Sequence, residues 1–255
     1  MSLRRLKIVL IGPTCDGTDV GEAWSTYQWA YGLSAQHDVT LLTYRKRNRP
    51  SAVPQLPNTE VIEWLDLPLV GRFERFNAMV KPGYFRFYLH ARRWLLKAVS
   101  SGRRFDIVHQ VAPLALRYPC PAVGLGLPIV LGPIAGSLNT PATFRHDTNS
   151  DPWFVQLRWL DRWRFRYDPW LRASFQQASV IIGVAPYVRN LLEDVHVRRF
   201  VTCSETGVIQ LPPRKAEGNH ASTLKLLYVG RIIRTKGLRD TIRALGLLRA
   251  DFDWH

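Results

Sequence analysis

The run Leu226-Leu227-Tyr228-Val229-Gly230-Arg231-Ile232-Ile233-Arg234-Thr235-Lys236-Gly237-Leu238 holds the residues best spaced for chemistry. Its pattern predicts an apolar strand that delivers Gly230 and Arg231, then four residues, then Lys236-Gly237 at the opening of a helix. Two cations fixed at a strand end and a helix start can converge on a diphosphate. The arginine forks onto the oxygens and the lysine acts as a point charge. An exposed basic turn would show the same spacing.

Two glycine-bearing loops and a histidine accompany this run. Gly17 and Gly21 sit in the small polar stretch Thr14–Gly21, just before a helix expected to open at Glu22, where backbone N–H groups and the helix dipole can face a phosphate or a sugar. Gly132 and Gly136 bracket Gly-Pro-Ile-Ala-Gly after a strand ending at Leu131. Either loop could equally be plain turn chemistry. His109 closes a strand, a placement that raises a functional role beside the commoner structural one.

The elements that must position these residues alternate between strand and helix. Leu6–Ile11 and Asp38–Thr43 read as buried strands flanking a helix over Glu22–Ala35, whose inner face is expected to carry Ala23, Tyr27, Ala30/Tyr31 and Leu33/Ser34. Phe105–His109, Pro128–Leu131 and Ser179–Val184 repeat the strand pattern. The fold class is α/β, a Rossmann-like parallel sheet with helices on both faces and ligand loops gathered at the carboxyl ends of the strands. Residues 211–223, with two prolines and a glycine, read as a linker. Beyond them, Leu224–Val229 and Gly237–Arg249 form one strand and one helix, too little to bury a core of their own.

Composition narrows the classes. In 255 residues, 46% hydrophobic and 22% charged, a core can form, so neither a disordered tail nor a collagen-like polymer is compatible. No apolar stretch approaches the length needed to span a bilayer, and the run Ile8–Ile11 is too short for a signal peptide. Cys15, Cys120 and Cys203 are far apart, with no CxxC pair, which points away from zinc and disulfides and toward a reducing compartment.

The formal charge is +15, and it is unevenly spread. Residues 72–104 hold seven Arg and two Lys against one Glu, a net +8. There Tyr84, Phe87/Tyr88, Ala91, Trp94/Leu95 and Ala98 recur at helical spacing, with Arg86, His90, Arg93 and Lys97 on another face. Residues 153–172 interleave Arg158, Arg162 and Arg166 with Trp159, Trp163 and Tyr167, and Asp168-Pro169 should end that helix. Such faces suit an anionic membrane surface. The alternative is that the aromatics face the core and the arginines form a solvated rim. Nucleic acid is not expected, since no zinc finger or RRM signature accompanies the charge.

The G-R-x4-K-G-L run resembles the signature of glycosyltransferase family 4, the retaining nucleotide-sugar enzymes of GT-B fold. DVGEAW, HDVTLLTY, FDIVHQ, PIVLGPIAGS and ASVIIGVAPYVRNLLED are similar to successive elements of that family's amino-terminal domain. The resemblance implies an acceptor-side domain over 1–210, a linker over 211–223, and the start of a donor-binding domain over 224–255. It also implies that Gly230, Arg231 and Lys236, with Gly21 across the cleft, hold the donor diphosphate, and that His109 contacts the transferred sugar. Gly17, Glu22, Gly132 and Gly136 would line the cleft. The family's E-x7-E donor element falls beyond His255, so the donor domain is expected to be incomplete.

The expected activity is transfer of a sugar, with retention, from a nucleotide-diphosphate sugar to a lipid-linked or polysaccharide acceptor. The alternative is an inactive membrane- or acceptor-binding module. No metal is expected, as no D-x-D cluster is present, and the nucleotide sugar is a co-substrate. The expected location is cytoplasmic, peripheral on the inner face of the plasma membrane.

Overall fold

The computed structural model describes residues 4–66, 83–136, 138, 159–205, 226–230, 232 and 236–247. Seven strands form one parallel sheet: β1 (Lys7–Thr14), β2 (Asp38–Arg45), β3 (Thr59–Leu65), β4 (Ile107–Gln110), β5 (Ile129–Ile134), β6 (Ala178–Gly183) and β7 (Phe200–Thr202). Their order is β3-β2-β1-β4-β5-β6-β7. Chain reversal at β1 places the switch between β1 and β4, the position where open α/β sheets take ligands. The helices described are α1 (Glu22–Ser34), α2 (Tyr84–Ser100), α3 (Trp159–Tyr167), α4 (Pro169–Gln177), α5 (Tyr187–Asn190) and α6 (Leu238–Leu247). The chain separates into two compact units, residues 1–138 with 153–207, and residues 139–152 with 208–255.

Two apolar layers sandwich the sheet, following the two-residue alternation of the strands. Leu10, Val39 and Leu41 face α1 with Ala30. Val9, Ile11, Leu42 and Val108 face α2 and α4, where Phe87, Leu95, Leu171 and Phe175 are fully or almost fully buried. Burying side chains of that size contributes about 2–3 kcal/mol each. The approach of α1 is close. A Cβ on Gly12 would stand 2.4 Å from Thr26 Cγ2, so the small and polar Ser25, Thr26 and Ala30 form its inner surface, while Tyr31 is exposed.

Two strands escape the sequence pattern. β3 carries Glu60 and Glu63 in a seven-residue strand, which masks its apolar alternation. Both acids are anchored, Glu60 by Thr40 and Arg103, Glu63 by the Ser51 hydroxyl and the Ala52 N–H. β7 has only three residues and closes the opposite edge of the sheet. The expected boundary at Asp168-Pro169 is a cap, in which Asp168 Oδ1 accepts the N–H groups of Trp170 and Leu171, both at 3.1 Å.

In the second unit, Leu226–Val229 has no ladder partner among the described residues, and residues 224 and 225 of the strand expected there lie outside them. A strand needs a neighbour to satisfy its backbone. On α6, Ile242 and Leu247 are exposed and no residue is buried.

Candidate active-site edge

At the carboxyl end of β1 the loop to α1 is braced from within and from the side. Asp16, almost fully buried, accepts the Thr18 N–H at 2.8 Å and the Thr18 hydroxyl at 2.7 Å. Burial alone would raise the Asp16 carboxyl, but these bonds and nearby Arg49 outweigh it and hold it below the ordinary carboxylate value. Gly17 N–H donates to Gln55 Oε1 at 2.7 Å, and Arg49 pairs with Asp19 at 3.1 Å. Gly21 is exposed, with φ of 68°, a left-handed conformation that favours glycine. It begins α1 without a side-chain cap, leaving the first-turn N–H groups of a 13-residue helix at this edge.

A second loop meets the first. The Gly132–Gly136 stretch, expected as a loop after Leu131, continues β5 as far as Ile134, with a register shift against β6 between Leu131 and Ile134. The shift depends on Gly132, which has φ of 117° and no room for a Cβ, the nearest atom being Ile182 O at 2.1 Å. The Gly132 carbonyl turns toward β4 and accepts from His109 Nε2 at 2.7 Å. Gly136 is held at both backbone atoms by the Tyr187 hydroxyl, 3.1 Å from its N and 3.2 Å from its O. Between the loops, Ala135 N–H donates to Leu114 O at 2.8 Å, and Leu114 N–H to Glu22 Oε1 at 3.4 Å. The amino end of α1 and the end of β5 are therefore linked through Leu114.

His109 is buried, its ring edge-on to Trp29 at 4.9 Å between centroids. Burial lowers its pKa to about 4, with the Gly132 bond opposing, so the ring is neutral at pH 7 and Nε2 carries the proton it donates. Through Nε2, His109 is bonded to the backbone of the neighbouring strand. A group in this position sets the Gly132 turn rather than facing solvent.

The remaining expected residues fall into separate places. Gly230 and Lys236 are exposed in the second unit, and Arg231 lies outside the described residues. On α2, Arg93 and Lys97 are exposed and Arg86 is half-buried; Arg92, absent from the expected set, donates to the carbonyls of Pro121 and Val123. Arg158 lies outside the described residues, and Trp159 and Arg162 are described only as backbone of α3. Trp163 is 57% exposed. Among the described residues no cluster of His, Cys, Asp or Glu could hold a metal ion, and no helix is long and apolar enough to cross a membrane.

Sequence reasoning missed Tyr187 and Gln55, the two side chains that hold the glycine loops. Tyr187 did leave a signal, an aromatic in the first turn after a strand ending on this same edge.

This architecture is that of a known family. The model of the glycosyl transferase 4-like domain matches residues 20–202, and the chain belongs to that family. No match to the sequence of a curated protein was found. Among solved structures, UDP-glucose:anthocyanidin 3-O-glucosyltransferase in complex with UDP is 12% identical over 83% of this chain and 56% of its own, with a TM-score of 0.44. A UDP-glucosyltransferase from Polygonum tinctorium is 16% identical over 82% of this chain and 54% of its own, with a TM-score of 0.44. Sucrose-phosphate synthase from Thermosynechococcus elongatus is 13% identical over 77% of this chain and 87% of its own, with a TM-score of 0.41. The chain spans little more than half the length of the two glucosyltransferases.

Proposed function

We propose that residues 1–210 are the acceptor-side domain, 211–223 the linker and 224–255 the first part of the donor domain of a nucleotide-sugar glycosyltransferase of GT-B fold. The enzyme breaks the bond between the sugar's anomeric carbon and the diphosphate, and the acceptor hydroxyl takes that place with retention of configuration. The family match across 20–202 carries this reading, and the braced glycine loops at the carboxyl edge of the sheet support it. Gly21 and the uncapped start of α1 approach the donor phosphates. Gly230, Arg231 and Lys236 stabilise the charge that builds on the leaving diphosphate. His109 acts as a positioning residue, holding the Gly132 turn.

The acceptor is a lipid-linked or surface polysaccharide, reached from the inner face of the membrane. Support comes from α3 and α4, where Trp163, Tyr167 and Trp170 are all exposed and the Arg166 guanidinium lies 5.7 Å from the Tyr167 ring. Aromatics beside arginine suit the headgroup layer of an anionic bilayer.

The second reading, an inactive membrane-binding module, is favoured by the exposure of α6. A thermal-shift panel separates the two. Stabilisation by one of UDP, GDP or ADP, abolished in Lys236→Ala, supports the enzyme. No shift with any of them, together with salt-sensitive flotation on anionic vesicles, supports the module.

A further inference from the structure

The edge of the sheet opposite the glycine loops holds a cavity. It has a volume of about 520 Å³ and opens where β1 and β2 begin, beside Glu60 near the start of β3 and the segment leading into β4. Lys7, Asn58, Glu60, Arg103, Arg104 and Phe105 are among its lining residues. Ligand loops of open parallel sheets lie at the carboxyl ends of the strands, so a cavity at the amino ends is a separate place.

Its charges are almost fully matched, and the mismatch is informative. Asp106 pairs with Arg4 at 2.9 Å, Asp38 with Arg5 at 3.0 Å, and Glu60 with Arg103. Each acid around the cavity is thereby assigned to one arginine. Lys7 and Arg104 remain, and among the described residues neither side chain takes part in a hydrogen bond or ion pair. Both line the cavity. Together they offer eight N–H donors and two positive charges with no acceptor from the protein.

The wall beside them is rigid. Arg103 forks onto Glu60, with Nη1 to Oε1 at 3.1 Å and Nη2 to Oε2, and the Thr40 hydroxyl also donates to Glu60 Oε2. The Arg103 guanidinium lies 5.2 Å from the Trp94 ring centroid and 5.3 Å from that of Phe105. The backbone below is pinned by the Lys7 N–H donating to Asp106 Oδ2 at 2.8 Å and the Asp106 N–H donating to Lys7 O at 2.9 Å. A fixed wall with two uncommitted cations costs little to organise around a multiply charged anion.

We infer that this cavity is a second binding site, at the strand ends opposite the glycine loops, for a small molecule bearing a phosphate or diphosphate group, with Lys7 and Arg104 as its anion-binding residues. The volume accommodates a ligand of sugar-phosphate size, within the range of small-molecule pockets. Arg103, Phe105 and Asn58 also line the cavity.

The test uses pyrophosphate as the probe and reads one amine at a time. The chain is treated with a limiting acetylating reagent in the presence of pyrophosphate or of sodium chloride at matched ionic strength, and modification is followed by peptide mass spectrometry. The expected result is that pyrophosphate slows acetylation of Lys7 but not of Lys97 on α2, that chloride does neither, and that Arg104→Ala removes the protection of Lys7. Loss of the arginine should weaken pyrophosphate about tenfold, the worth of a charge-assisted hydrogen bond. Equal slowing of Lys7 and Lys97, protection by chloride as strong as by pyrophosphate, or protection unchanged in Arg104→Ala would overturn the assignment. Arg104 is exposed and holds no partner, so its removal leaves the fold in place, and an unchanged melting temperature without ligand checks this.

Discussion

Helices α2 and α3 look alike in sequence, each interleaving aromatics with arginines, yet they bury different shares of those aromatics. On α2, Tyr84 and Phe87 point into the sheet, Phe87 edge-on to Tyr44 at 5.2 Å, and the basic residues stand outside or along the flank. On α3, Phe165 turns inward against Phe175 at 5.2 Å, while Trp163 and Tyr167 pair in solvent at 5.5 Å. Trp170, at the start of α4, extends the same exposed set at 66% exposure. The difference lies in how many aromatics each helix can bury. In 17 residues α2 has one continuous stripe that the sheet takes in, with Phe85 alone among its aromatics left largely exposed. In nine residues α3 turns Phe165 to the core and leaves Trp163 and Tyr167 exposed. An aromatic-basic pattern alone therefore does not mark a membrane face; the residues left over after the core is filled do.

The comparison predicts unequal costs, largest first. Phe87→Ala should destabilise the chain by about 3–5 kcal/mol, seen as a large fall in melting temperature, because the ring is fully buried. If it cost no more than Trp163→Ala, the distinction between the helices would fail. Gly132→Ala combines a left-handed φ with a Cβ 2.1 Å from Ile182 O, and should cost about 3 kcal/mol on the core side of the comparison.

Acid should separate the regions further. His109 titrates at about 4 when folded and near 6.5 when unfolded, so the unfolded chain binds the extra proton between those values. Stability is complete above pH 6.5 and is lost as pH falls toward 4, by about 3 kcal/mol. Burial, with Arg86 and Arg93, lowers His90 on α2 in the same direction. Neither α3 nor α4 carries a histidine. Denaturant titrations at pH 7 and pH 4.5 should show this loss in the native chain and a flatter profile in His109→Gln. Equal slopes in the two proteins would remove His109 as the source.

Smaller effects sit on the exposed side. Asp168→Ala removes the α4 cap and should cost about 1 kcal/mol. Trp163→Ala with Trp170→Ala should change stability by less than about 0.5 kcal/mol. The same pair should weaken flotation on anionic vesicles about tenfold, as buried aromatic area is lost from the bilayer. Unchanged flotation would return the α3 face to the role of a solvated rim.

Much of the frame was legible because apolar periodicity is local. The strands β1, β2, β4, β5 and β6, the α2 stripe and the Asp168-Pro169 break all follow from spacing and capping. β3 was hidden because its Glu60 and Glu63 read as solvent-facing, and their partners Arg103, Ser51 and Ala52 come from elsewhere in the chain. The candidate edge was legible in its glycines and illegible in its braces. Nothing near Gly136 announces Tyr187, 51 residues away, or that His109 would meet Gly132 on the neighbouring strand. Long-range hydrogen bonds leave no periodic trace.

The central claim is sugar transfer from a nucleotide-diphosphate sugar, and the most direct measurement is an assay of the protein with UDP-, GDP- and ADP-sugars and vesicles carrying lipid extract. The account predicts release of one nucleoside diphosphate with the sugar appearing in the lipid or glycan fraction, and a drop in kcat of about 100-fold in Arg231→Ala or Lys236→Ala. Release of no nucleotide from any of the donors, or turnover indifferent to both substitutions, would contradict it.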